Sequence, residues 1–126
     1  MPDIFPFKGI FFNKEKVNIN NVICPPYDVI SKEQQKIFKK FKHNAINLEL
    51  PDFDYSNTRG IFERWLKKRI LVRAKSSSFY FYKQIFKIDN KEYTRKGFFC
   101  LLSLDKKSVS KVIFHEKTFQ KPIEDR

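Results

Sequence analysis

The side chains able to do chemistry gather in two stretches. One closes the chain: His115, Glu116, Thr118, Asp125 and Arg126 set an imidazole, carboxylates, a hydroxyl and a guanidinium behind the β-branched run from Val109 to Ile113. The other is Pro25-Pro26-Tyr27-Asp28, where two prolines hold the backbone extended and present a phenol and a carboxylate from a stiff loop. These groups suit acid–base and phosphate chemistry. Asp28 is the candidate base or magnesium ligand, with Tyr27 beside it to stack or hydrogen-bond. His115 or Glu116 is the candidate proton carrier. Adjacent strand residues face opposite ways, so only one of the two is expected to reach a ligand. Thr118 offers a hydroxyl, and Arg126 with the first amides of a helix would hold phosphate oxygens. Plainer explanations stand beside these: Asp28 as a turn residue before Ser31, Asp125 as a capping carboxylate, Arg126 as a surface charge.

Other chemistries are excluded by spacing. His115-Glu116-Lys117-Thr118 lacks the second histidine of a zinc-protease helix, since position 119 is Phe119 and the only other histidine is His43. Cys24 and Cys100 form no C-x-x-C pair, and both read as buried small hydrophobes rather than as metal ligands or a disulfide. Cys24, in an apolar run before Pro25, has no evident base and should be inert. The three glycines do not cluster, which rules out a P-loop or a dinucleotide fingerprint.

The chain of 126 residues, 41% of them apolar, is expected to fold as one domain with a real core. Its formal charge of +12 creates a positive field that attracts phosphates, nucleic acid or acidic lipid. The lysines are spread over every segment, the mark of a composition rich in Lys, Ile, Asn and Phe together. That spread favours composition over a dedicated patch, and a nucleic-acid-binding module using Lys39, Lys40, Lys42, Lys67, Lys68, Arg69 and Arg73 on the two helices is the competing class. No stretch approaches the roughly 20 apolar residues that span a bilayer, and the first residues lack a signal-peptide pattern, so a cytoplasmic protein is expected.

The elements that must position these residues follow from periodicity. Ile4 to Phe12, interrupted by Pro6 and Gly9, reads as a short or broken strand, and Asn18 to Asn21 as a turn. Ser31 with Gln34 forms a capping box for a helix from about Lys32 to Phe41. Ala45 to Leu50 alternates and reads as a strand closed by Pro51. Ile61, Phe62, Trp65 and Leu66 recur at helical spacing between Ser56 and Arg69, with Trp65 assigned to the core. From Ser78 the period becomes two: Phe79 to Ile88, a turn at Asp89-Asn90-Lys91, and a returning strand from Tyr93 to Leu104, with Gly97 marking a bulge or a close approach. Asp105 to Ser108 reads as a turn and Val109 to Phe114 as the next strand. The expectation is an α+β domain with a mixed, mainly antiparallel sheet packed with two short helices, the hairpin lying on the Ser56 to Arg69 helix. Pro122 opens a last helix that the chain leaves after one turn, so the polypeptide reads as the N-terminal fragment of something longer, with apolar surface near Phe119 and Ile123.

Pro25-Pro26-Tyr27-Asp28-Val29-Ile30 before a capped helix, then Tyr82-Lys83-Gln84, Arg95-Lys96-Gly97-Phe98, His115-Glu116-x-Thr118 and Asp125-Arg126, in this order, resemble the N-terminal part of the domain of unknown function 1015 family. Where members usually carry an acidic residue before the strand glutamine, this chain has Lys83. More distantly, the arrangement is similar to the ParB and sulfiredoxin superfamily, whose relatives include a free-serine kinase and nucleotide-binding switches. The family's activity is not established, so it is the two polar stretches that point to a phosphate-bearing small ligand, a nucleotide such as ATP or ADP with magnesium, while the similarity to the serine kinase implies phosphoryl transfer to a small hydroxylated metabolite. The alternative it implies is a nucleic-acid-binding module of ParB-like type.

Overall fold

Residues 2–52 and 55–113 are described by the structure, a computed structural model. They form an α+β fold in which every strand pair is antiparallel, arranged as three separate two-stranded sheets. The chain divides into two units, one running from Ile10 to Arg73 and the other joining the first nine residues to those from Ala74 onward.

In the Ile10–Arg73 unit, strand β2 (Ile10–Phe12) pairs with β3 (Leu71–Arg73), with Phe12 opposite Leu71. Helix α4 (Thr58–Lys67) turns its apolar stripe onto this pair. Trp65, Ile70 and Leu71 are buried together, with Ile10, Phe12, Val17, Leu48, Ile61, Phe62 and Leu66 packed around them. Trp65 is thus a core residue, as its spacing predicts, and Phe12 meets its ring at 6.1 Å. The partners of the α4 stripe are β2 and β3, where the sequence had suggested the hairpin.

The end of α4 is a Schellman turn. Ile70 N–H reaches the Trp65 carbonyl at 2.9 Å and Arg69 N–H the Leu66 carbonyl at 3.0 Å, while Arg69 takes φ 56°. The left-handed residue that closes such a turn is most often glycine. Here Asn13 braces an arginine in its place, its side-chain amide donating to the Arg69 carbonyl at 3.1 Å.

Short helices fill the rest of this unit. Asn18 caps α1 (Ile19–Val22), where a turn was expected, by accepting from the Asn20 amide at 3.0 Å. Ser31 and Gln34 close the expected capping box on α2 (Lys32–Lys39). The alternating run after Ala45 is not a strand but helix α3 (Ile46–Glu49). A run this short satisfies both periods, and the deciding group is Asn44, whose side-chain oxygen accepts from the Ile46 amide at 3.0 Å and starts a helical turn.

In the second unit, β4 (Tyr80–Ile88) and β5 (Lys91–Phe99) form the expected hairpin. Asp89 and Asn90, with φ 49° and 63°, make the two-residue left-handed turn whose twist suits antiparallel strands. The returning strand breaks at Cys100, and β6 (Leu101–Leu102) pairs with β1 (Ile4–Phe5) instead. Between β1 and β2, Phe7 bridges Ser78, so the broken strand expected at the N-terminus is observed. Tyr80 accepts from Gly9 N–H at 2.8 Å and donates to the Phe7 carbonyl at 3.1 Å.

The expected strand from Val109 is also corrected. Asp105 caps a short helix, α5 (Lys106–Val109), by accepting from the Ser108 amide at 2.9 Å, and residues 112–113 have no regular structure. Capping chemistry at Asp105 overrides the β preference of Val109. Buried Ser108 ties α5 down, donating to Asp3 Oδ2 at 3.1 Å and accepting from Asp3 N–H at 3.2 Å.

Candidate functional site

Pro26 holds φ −55° and ψ 145°, the extended conformation its ring favours, and a single 3-10 turn follows over Tyr27–Val29. The turn closes with Val29 N–H donating to the Pro26 carbonyl at 3.1 Å. Ile30 returns to extended backbone, and the Ser31 capping box begins α2 at once. Tyr27 is half-buried and Asp28 exposed. Among the described residues no cation forms an ion pair with Asp28.

What fixes the approach to this turn is Asn44, which the sequence reading did not single out. Its side chain is fully buried and uses both amide hydrogens, donating to the carbonyls of Asn21 at 3.0 Å and Ile23 at 2.9 Å. Ala45 N–H adds a 2.7 Å bond to the Val22 carbonyl between them. Buried Val22 and Ile46 belong to the two segments so joined. The backbone entering Pro25 is therefore held over consecutive carbonyls, and Asp28 sits at the end of a rigid lead. An asparagine just before an apolar run is a capping signal, and that was the clue available in the sequence.

Two further contacts steady α2 behind the turn. Gln35 donates to the Leu50 carbonyl at 3.4 Å, and Lys39 forms an ion pair with Asp52. Cys24, beside the prolines, is half-buried rather than buried, as is Cys100, and both are free thiols. Burial first, and the nearby Glu49 carboxylate second, push the Cys24 thiol up from its ordinary value. That keeps it protonated at neutral pH, in line with the expectation that it is inert.

His115, Glu116, Thr118 and Arg126 lie outside the described residues, as do Phe119 and Ile123. Among the described residues no strand leads to them, since α5 and an irregular stretch occupy the run up to Ile113. Of the candidate site, the structure describes Tyr27 and Asp28. No group of three or more His, Cys, Asp or Glu side chains among the described residues is arranged to hold a metal ion.

The basic residues of the competing class are distributed unevenly. Lys39 is engaged by Asp52, Arg69 occupies the Schellman turn, and Arg73 faces Ile10 across the β2–β3 pair. Lys40, Lys42, Lys67 and Lys68 are exposed. No helix among the described residues is long and apolar enough to cross a membrane.

No curated protein and no solved structure matches this chain. The family described as Protein of unknown function (DUF1015) matches residues 4–126, and the chain belongs to it.

Proposed function

We propose that this chain is a cytoplasmic domain that binds a phosphate-bearing small molecule, a nucleotide with magnesium, through a site that includes Tyr27 and Asp28. The observation that supports this reading is an exposed carboxylate, without an ion-pair partner among the described residues, on a turn locked by Pro25, Pro26 and the buried Asn44. An exposed acid presented from a rigid turn suits a group that meets a ligand. Asp28 supplies one hard oxygen donor of the kind magnesium takes, the other positions being filled by phosphate oxygens and water. Bound there, the metal would neutralise phosphate charge.

In this reading Asp28 also accepts the proton of an attacking hydroxyl, and Tyr27 packs against the ligand. His115 or Glu116 carries the proton onward, while Thr118 and Arg126 hold phosphate oxygens. Phosphoryl transfer to a small hydroxylated metabolite is the reaction to test, by fold-level analogy with the serine kinase among ParB and sulfiredoxin-like proteins.

Ligands that bind the folded state raise its melting temperature by mass action. A thermal-shift screen of ATP, ADP, CTP and pyrophosphate with magnesium should therefore give a shift, reduced by Asp28→Ala and by Arg126→Ala. No shift with any of them, or shifts that both variants leave unchanged, would refute the reading. The nucleic-acid alternative draws on the exposed lysines Lys42 and Lys68. It predicts DNA binding that weakens steeply with salt, whereas a small-ligand site is much less sensitive.

A further inference from the structure

A recess of about 230 Å³ opens in the Ile10–Arg73 unit between the α2–α3 turn and the second half of α4. Ile61, Arg64, Trp65 and Lys68 line it from α4 and its end, at spacings that bring them to one face of the helix. Lys42, His43 and Asn47 close the other side. No carboxylate among the described residues lines it. The one acid on α4, Glu63, is occupied by Arg59 at 2.8 Å. Lys42, Arg64 and Lys68 form no ion pair among the described residues.

The dipole of α4 accounts for cations on its last turn, but not for Lys42, which comes from a different element. Four of the carbonyls at that helix end already accept hydrogen bonds. The Arg64 carbonyl accepts from Lys68 N–H at 2.9 Å, those of Trp65 and Leu66 are used by the Schellman turn, and that of Lys68 accepts from Lys16 Nζ at 2.8 Å. The three cations therefore line one opening with no ion-pair partner among the described residues, a setting that suits an entering anion. His43 stands edge-on to Trp65, with ring centroids 5.6 Å apart. Partial burial, then Lys42 and Lys68, lower its pKa from the ordinary 6.5. The imidazole is thus neutral at pH 7 and adds a hydrogen-bonding group without further repulsion.

We propose that this recess binds a phosphomonoester, its phosphoryl oxygens held by Lys42, Arg64 and Lys68 and its organic part lying against Ile61 and the edge of Trp65. A monoester carries about −1.5 to −2 charge at neutral pH, which matches this many cations better than the single charge of a diester or a sulfate ester. Guanidinium and ammonium donors on one oxyanion form charge-assisted hydrogen bonds. The site goes beyond the reading above and does not use Asp28.

Trp65 is the only tryptophan of the chain, so its fluorescence reports on this recess directly. Titrating the full chain with phenyl phosphate should give a saturable change in emission. Phenyl sulfate should bind more weakly. Arg64→Gln and Lys68→Gln, at exposed side chains that leave the fold intact, should each weaken phenyl phosphate by about tenfold, the worth of one charged hydrogen bond. Lys83→Gln, on the hairpin, should have no effect, and neither should Asp28→Ala. Absence of a saturable change at millimolar phenyl phosphate overturns the proposal. So does an equal loss in Lys83→Gln, which would mean bulk charge, or a loss in Asp28→Ala, which would assign the ligand to the other site and leave that reading standing. Tighter binding of a single-stranded oligothymidylate, lost in the same variants, would make the recess part of a nucleic-acid surface and equally overturn it.

Discussion

The ring of Tyr82 lies over Gly97, its partner across the β4–β5 ladder, so closely that a Cβ at position 97 would come within 2.5 Å of the ring and its hydroxyl. The glycine therefore marks a close approach of a side chain, and the register runs through it without a bulge. Gly97→Ala should push the ring aside and disturb its contact with Phe99, now at 5.3 Å, at a cost of about 1 kcal/mol. In a Tyr82→Ala background the same change should be neutral or stabilising, because alanine loses less backbone entropy than glycine. A double-mutant cycle by urea unfolding measures the coupling, and strictly additive effects would contradict it.

Asn44 is expected to be the costliest polar substitution in the Ile10–Arg73 unit. Asn44→Ala leaves the carbonyls of Asn21 and Ile23 and the amide of Ile46 without their partner, and at roughly 1 kcal/mol for each lost bond the penalty should be about 3 kcal/mol. Asn44→Asp should be worse, since a carboxylate would face two carbonyl oxygens. Chemical denaturation reads the loss. Amide exchange at residues 27–29 should rise well before global unfolding if Asn44 positions the turn that carries Asp28.

The Asp105 cap gives the second unit a dependence on acid. The Ser103 hydroxyl chiefly, with the Ser108 amide, lowers the Asp105 carboxyl from 3.8 to about 2. Because the folded value lies below the unfolded one, the stabilisation is complete above about 3.8 and is lost as pH falls through about 2. Asp105→Asn keeps a capping oxygen but cannot titrate. Melting temperatures of the two proteins should therefore converge between pH 4 and pH 2, and a constant gap would show that the carboxylate is not held.

Arg69 occupies a left-handed position at φ 56° that costs a side chain about 1 kcal/mol and costs glycine nothing. Its contacts there are made by the backbone, so Arg69→Gly should keep the Schellman turn and the Asn13 brace. Stability should rise by about 0.5–1 kcal/mol, less the greater unfolded-state freedom of glycine. A decrease in the urea midpoint would mean that the arginine side chain contributes more than its backbone strain removes.

What could be read in advance was whatever is decided within a few residues. The Ser31–Gln34 capping box, the left-handed turn at Asp89-Asn90, the apolar stripe of α4 and the stiffness imposed by Pro25-Pro26 are local, and they fold as their residues dictate. The run after Ala45 was misread because Ile46, Leu48 and Leu50 fit either period, and the choice rests on Asn44 reaching back to Asn21 and Ile23. Pairing of Ile4 with Leu102, or of Phe12 with Leu71, leaves no trace in a local window, so the division into separate sheets was not visible. The basic recess was hidden for the same reason. The signal that pointed to it was Arg64 and Lys68 at i, i+4 on the same side as Ile61 and Trp65.

Ile10 and Arg73, the first and last residues of one unit, are cross-strand partners. Residues paired in this way lie about 5 Å apart, so the segment between them enters and leaves through a doorway one ladder rung wide. This is the topology of a cassette: a stretch of chain that can be lifted out whole, closed on itself by a short peptide, or spliced into the loop of an unrelated host without stretching either end.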